Sequence, residues 1–311
     1  MRVGSLFPFG SWHPLDRYVA PARRNAALWL IPLAAILAAI VYLAWVCAQV
    51  LAVGLVSGLG TLMGAPFTDL SAPAGMLGFL LTFGGAFLGV ALAVRILHGR
   101  AARTLLAPDW VPGWSPGVSE GQRPMGRDAW RTALAVACTH LPLVAISGFA
   151  GDLVANRSLL AWLLLLPFAV PAVLIQTLGE EVVFRGYLLQ QLGARFRSPL
   201  AWMVLPAIGF GALHLANGAG AGMLSIWAFA FGLVAADLTA RTGTLAAAWA
   251  FHAANNASVM LIAGDEQMPG LTLWTISGSA EAAASMTVGT LMVQIGLLAL
   301  SWLAVRIALR V

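Results

Sequence analysis

The sequence contains no lysine, and charged residues make up only 9% of its 311 positions. Soluble domains carry about 25%, so a water-covered globule is excluded. Cysteine is scarce too: Cys47 and Cys138 both sit inside apolar runs, without metal-ligand spacing. Neither a disulfide framework nor a cysteine-based metal centre follows from them, and both thiols are expected to be buried and inert. All 17 basic residues are arginines, a usage that suits a GC-rich, bacterial genome. The pI of about 10.2 would ordinarily point to nucleic acid. Here the arginines lie in short stretches between apolar runs, so membrane topology accounts for the charge and no nucleic-acid partner is expected.

What is present is apolar. Hydrophobic residues are 60% of the chain, with a mean hydropathy of +0.87. The expectation is an all-α, polytopic integral membrane protein with about eight transmembrane helices. The spans fall near 26–60, 74–96, 132–151, 158–180, 200–216, 222–240, 244–264 and 286–306. The first exceeds the roughly 20 residues one crossing needs, and Pro32 is a candidate kink within it. The polar stretch before it leads into an uncleaved anchor, not a signal peptide. Gly54 with Gly58, and Gly85 with Gly89, have the spacing of close-packing helix faces.

The arginines test this layout independently of hydropathy. With eight crossings, 16 of the 17 arginines fall on one side and only Arg157 falls on the other. By the positive-inside rule both termini are cytoplasmic, in the inner membrane if the source is bacterial. The chain then divides into a cytoplasmic N-terminal tail (1–25), two spans and a cytoplasmic loop (26–131), a helical core (132–264), and an outer loop with the last span (265–311). Within the 98–131 loop, Trp110, Trp114 and Trp130 among Pro112, Pro116 and Pro124 suggest indoles resting at headgroup level.

Ionisable groups inside apolar spans are costly, so each is a candidate for function. They are His140, Glu180, Glu181, His214, Asp237 and His252, joined by the uncharged Asn255 and Asn256. Neighbours on a helix point about 100° apart, so Glu180 and Glu181 cannot share a job. Glu181 precedes Arg185 by one turn in the favourable order, which predicts an ion pair and leaves Glu180 facing elsewhere as a candidate general base. Phe210 and His214 share a helical face, with Gly209 and Gly211 beside them to admit a second backbone. His252 and Asn256 share another. Read singly, the glutamates suit a charge cluster at a helix end as well as they suit catalysis, His214 more often reads as a packing histidine, and His252 with Asn256 as an interhelical hydrogen-bond pair. Asp237 and Arg241 repeat the acid-first spacing and read as a structural pair. His140 reads as a packing histidine, and His13 and His98 lie outside the spans.

Taken together, Glu180-Glu181-x-x-x-Arg185, Phe210-x-x-x-His214 and His252-x-x-x-Asn256 resemble the motifs of the CAAX prenyl protease and bacteriocin-processing family of intramembrane glutamic endopeptidases. Order and spacing match throughout, over roughly residues 135–264. The resemblance implies an endopeptidase in which Glu180, assisted by His214, activates water while His252 and Asn256 form an oxyanion hole. Glu181, Arg185 and Phe210 are then structural support. It also implies no metal and no cofactor, and a hydrophobic or membrane-associated peptide as partner within the lipid bilayer. Two other readings stand beside it. One is a zinc peptidase ligated by Glu180, His214 and His252, although the sequence has no H-E-x-x-H. The other is a non-enzymatic transporter, immunity or scaffold protein on the same fold.

Overall fold

The computed structural model describes residues 12–57, 69–108, 123–216 and 220–311. It is an all-α polytopic membrane protein. Among the described residues, six helices are long and apolar enough to cross a bilayer: Leu30–Leu55, Pro73–Leu97, Met125–Ala150, Leu159–Arg195, Ala221–Thr242 and Val288–Leu309. A shorter apolar helix, Leu200–Ala216, fills the fifth expected position. The seventh is filled by Ala246–Ala257, continued by a π-helical turn through Ile262.

In chain order the helices are α1 (His13–Val19), α2 (Leu30–Ser57), α3 (Pro73–Leu97), α4 (Met125–Ala150), α5 (Leu159–Glu181), α6 (Leu189–Arg195), α7 (Leu205–Leu213), α8 (Ala221–Thr242), α9 (Ala246–Ala257), α10 (Ser279–Ala284) and α11 (Val288–Leu309). Pro32 does not kink α2. It lies in the first helical turn, where the backbone N–H it lacks would have had no partner. Glycine governs how α2, α3 and α5 approach one another. A Cβ on Gly89 would sit 2.7 Å from the Ala38 backbone, one on Gly85 2.9 Å from Trp45, and one on Gly179 2.5 Å from the Phe83 carbonyl. The Gly85–Gly89 face is therefore a close-packing face. Gly58, its counterpart in the other pair, lies outside the described residues, as do Trp110, Trp114, Pro112 and Pro116.

The span expected over 158–180 does not stop at Glu180. α5 runs through Pro167 and Pro171, passes into a π-helical segment Val182–Leu188, and continues as α6 to Arg195. This unbroken rod of 37 residues is about 55 Å long at 1.5 Å per residue. The hydropathy boundary misled because Glu180, Glu181, Arg185, Gln190 and Gln191 lower the local average. Their partners lie inside the bundle: Glu181, Arg185, Gln190 and Gln191 are all buried.

Two regions tie the helix ends together. At one end β1 (Leu153–Ala155) runs antiparallel to β3 (Trp274–Ile276), and β2 (Ala263–Gly264) runs parallel to it. Asn156 and Arg157 hold this cap through the carbonyls of Pro269, Thr272 and Gly270. At the other end α1 lies against the bundle with Tyr18 fully buried, its hydroxyl donating to the Leu105 carbonyl at 2.7 Å. Burial pushes the Tyr18 phenol well above its ordinary range. There too Asp237 pairs with Arg241 at 2.8 Å, as its spacing predicted. Asp237 also accepts indole N–H bonds from Trp12 (2.9 Å) and Trp302 (3.0 Å). The cysteines depart from expectation: both are exposed, Cys47 on α2 and Cys138 on α4.

Candidate active site

The sequence places Glu180 and His214 on either side of a turn near residue 198, and the structure breaks the helix at 196–198. Because the α5–α6 rod continues to Arg195, Glu180 lies well inside it, about 22 Å from that end. His214 lies a similar distance along the returning helix. This removes the mismatch in depth that a span ending at Glu180 would create.

The two glutamates diverge as their helical positions require. Glu181 is fully buried, and its Oε1 accepts from Arg185 Nη1 at 2.9 Å. Arg185 is equally enclosed, and its guanidinium lies 4.5 Å from the centre of the Phe210 ring. Glu180 keeps 16% of its side chain exposed, against none for Glu181.

His252 bridges the pair. Its Nδ1 lies 2.9 Å from Glu181 Oε1, and its Nε2 lies 3.4 Å from Glu180 Oε2. The ring is gripped by Phe231 at 4.8 Å and Phe210 at 5.9 Å between centroids. Since the Arg185-bound carboxylate can only accept, His252 Nδ1 is the donor there. Nε2 is thereby aimed at Glu180. His214 is fixed by a different device: its Nδ1 donates to the Phe210 carbonyl at 2.8 Å, so the neutral ring has its lone pair on Nε2.

Asn256 lies one turn beyond His252, and its Nδ2 donates to Gln176 Oε1 at 2.9 Å. Gln176 lies one turn before Glu180. The four side chains thus make two rungs between antiparallel helices, Glu180 opposite His252 and Gln176 opposite Asn256. Asn255 donates to Asn256 Oδ1 at 3.2 Å. Sequence reading missed Gln176 and Phe231. Gln176 was detectable as the polar residue four before Glu180 in an apolar run; Phe231 carried no signal.

His140 stands apart, half-buried on α4, its Nδ1 without a hydrogen-bond partner. Among the described residues, no three of His, Cys, Asp and Glu converge as metal ligands would.

Comparison with known proteins bears on the same segment. Residues 157–258 match the family described as type II CAAX prenyl endopeptidase, Rce1-like. The resemblance carried by the three motifs is thereby found across the segment that holds all of them. A protein of Bacillus subtilis (strain 168), YyaK, described as uncharacterized, is 39% identical over 104 residues, covering 32% of this chain and 34% of its own length. The chain thus spans about a third of that relative. No solved structure matches.

Proposed function

We propose that the protein is an intramembrane endopeptidase of the glutamate type, hydrolysing a peptide bond in a hydrophobic or membrane-associated substrate. The observation that carries the reading is the Glu180–His252 contact at 3.4 Å within a buried ladder of helices that match peptidase relatives over residues 157–258. Glu180 is the partly open carboxylate of the two, and it takes a proton from water. The water oxygen then bonds to the carbonyl carbon, and the carbonyl oxygen becomes an oxyanion. Collapse breaks the C–N bond, and the proton passes to the leaving amine. His214, its lone pair on Nε2, assists Glu180 in holding and moving that proton. Asn256 supplies an amide N–H to the oxyanion, and His252 adds Nε2–H when both its nitrogens are protonated. Glu181 and Arg185 orient His252.

The depth of Glu180 within the α5–α6 rod makes a soluble peptide a poor substrate and a segment lying in or against the membrane a good one. The test compares membrane peptides from cells carrying wild-type protein with those carrying Glu180→Gln. Uncleaved precursors are expected to accumulate in the variant alone. Identical peptide sets, together with no cleavage by purified wild-type protein of the membrane peptides tried, would overturn the reading.

A further inference from the structure

Within the peptidase reading, on which it rests, one residue has no assigned part. Gln176 is buried, 5% exposed, in the middle of a membrane-spanning helix. A buried amide there is costly unless it is engaged. Its Oε1 takes the Asn256 Nδ2–H at 2.9 Å.

An asparagine side chain has two faces of opposite polarity and nearly equal shape. Directed one way it offers N–H to an oxyanion, and directed the other it offers an oxygen that repels one. In this protein the direction is set from both ends. Asn255 Nδ2 donates into Asn256 Oδ1 at 3.2 Å, and Gln176 Oε1 draws Asn256 Nδ2 from the other side. One N–H of Asn256 is consumed by Gln176, and the second remains to face the reacting carbonyl. The two rungs also fix the distance relation. Glu180 and Gln176 are one turn apart on α5, as are His252 and Asn256 on α9. The proton-accepting group and the amide donor therefore stand about 6 Å apart along the helix axis.

We infer that Gln176 is a positioning residue for the hydrolytic site: its side-chain carbonyl holds the Asn256 amide in the orientation that presents N–H to the developing oxyanion. It acts through Asn256, and its effect is felt in the transition state more than in substrate binding.

The test is a double-mutant cycle on the full-length protein in detergent, with rates normalised to folded protein. Gln176→Met keeps the volume and removes the acceptor. It is expected to lower kcat about 10- to 100-fold, part of the loss typical of removing an oxyanion donor, with KM changed less than about twofold. Combined with Asn256→Ala, it is expected to add nothing further, because the residue being positioned is already gone. Gln176→Ala removes the same carbonyl with no added bulk and is expected to reproduce the kcat loss if Gln176→Met folds poorly. A normal kcat in either folded variant overturns the inference, as do losses that multiply in the double variant or an effect confined to KM. Turnover by wild type with no effect at Gln176 removes only this inference. An inactive wild type removes the peptidase reading and this inference together.

Discussion

His252 Nε2 stands 3.4 Å from Glu180 Oε2, and the opposite face of the same ring system is committed to Glu181. One imidazole thus separates a carboxylate locked by Arg185 from one that is open. The two glutamates should therefore fail in different ways. Glu180→Gln is expected to cost at least the 10²- to 10⁴-fold typical of a lost general base, with a melting temperature close to wild type. Glu181→Gln strands the buried Arg185 charge, and breaking such a pair costs about 3–5 kcal/mol. Activity assays beside melting curves check this. Equal destabilisation of both variants, with turnover retained in Glu180→Gln, would contradict the division of labour.

The two adjacent asparagines offer a second contrast. Asn256→Ala is expected to lower kcat by roughly 10²–10³ with KM nearly unchanged. Asn255→Ala removes only a donor to Asn256 Oδ1, so its loss should be smaller. A normal kcat for Asn256→Ala removes its oxyanion role. A large loss at Asn255 alone would transfer that role to the neighbour.

Close backbone approach beside the site predicts a packing effect. A methyl group on Gly179 meets the Phe83 carbonyl at 2.5 Å, so α3 and α5 would have to separate at the position next to Glu180. Gly179→Ala is expected to destabilise by about 1–3 kcal/mol and to reduce turnover per folded molecule. A melting curve and activity indistinguishable from wild type would show that α3 and α5 slide apart freely.

Chelation tests the metal alternative. Activity in detergent is expected to survive prolonged exposure to a strong zinc chelator, and elemental analysis should find well under one zinc per chain. Loss on chelation, with recovery on adding zinc, would make His214 and His252 ligands.

Orientation is accessible to reporter fusions. With Arg185 buried in the α5–α6 rod, 15 of the remaining 16 arginines fall on one side of the eight-crossing layout and predict cytoplasmic termini, so fusions at Val311 and within residues 265–285 should report opposite sides. A shared signal would break the eight-crossing layout.

Much of the bundle was legible in the sequence because lipid leaves so few ways to satisfy a backbone. Helix-forming stretches were placed near their true positions, and the Glu181–Arg185 and Asp237–Arg241 pairs followed from i, i+4 spacing alone. The end of α5 was not legible. Hydropathy treats Gln190, buried against Arg100 at 2.6 Å, like any polar residue at a membrane surface. Nor was the place of His252 between the glutamates, since 71 residues of sequence separation carry no information about which ring nitrogen meets which carboxylate. Gln176 was overlooked for a related reason: its partner Asn256 is 80 residues away.

Asp237 has a consequence for biosynthesis. Its two carboxylate oxygens receive one indole from near each end of the chain, Trp12 from 225 residues before it and Trp302 from 65 residues after it. As the chain emerges N-terminal end first, the first indole is waiting when Asp237 appears, but the second has not yet been made. The fold therefore stays unlatched at this edge until α11, which carries Trp302, has been inserted. A ribosome stalled before residue 302 would hold a bundle that already contains Glu180, His214, His252 and Asn256 and still lacks its clasp.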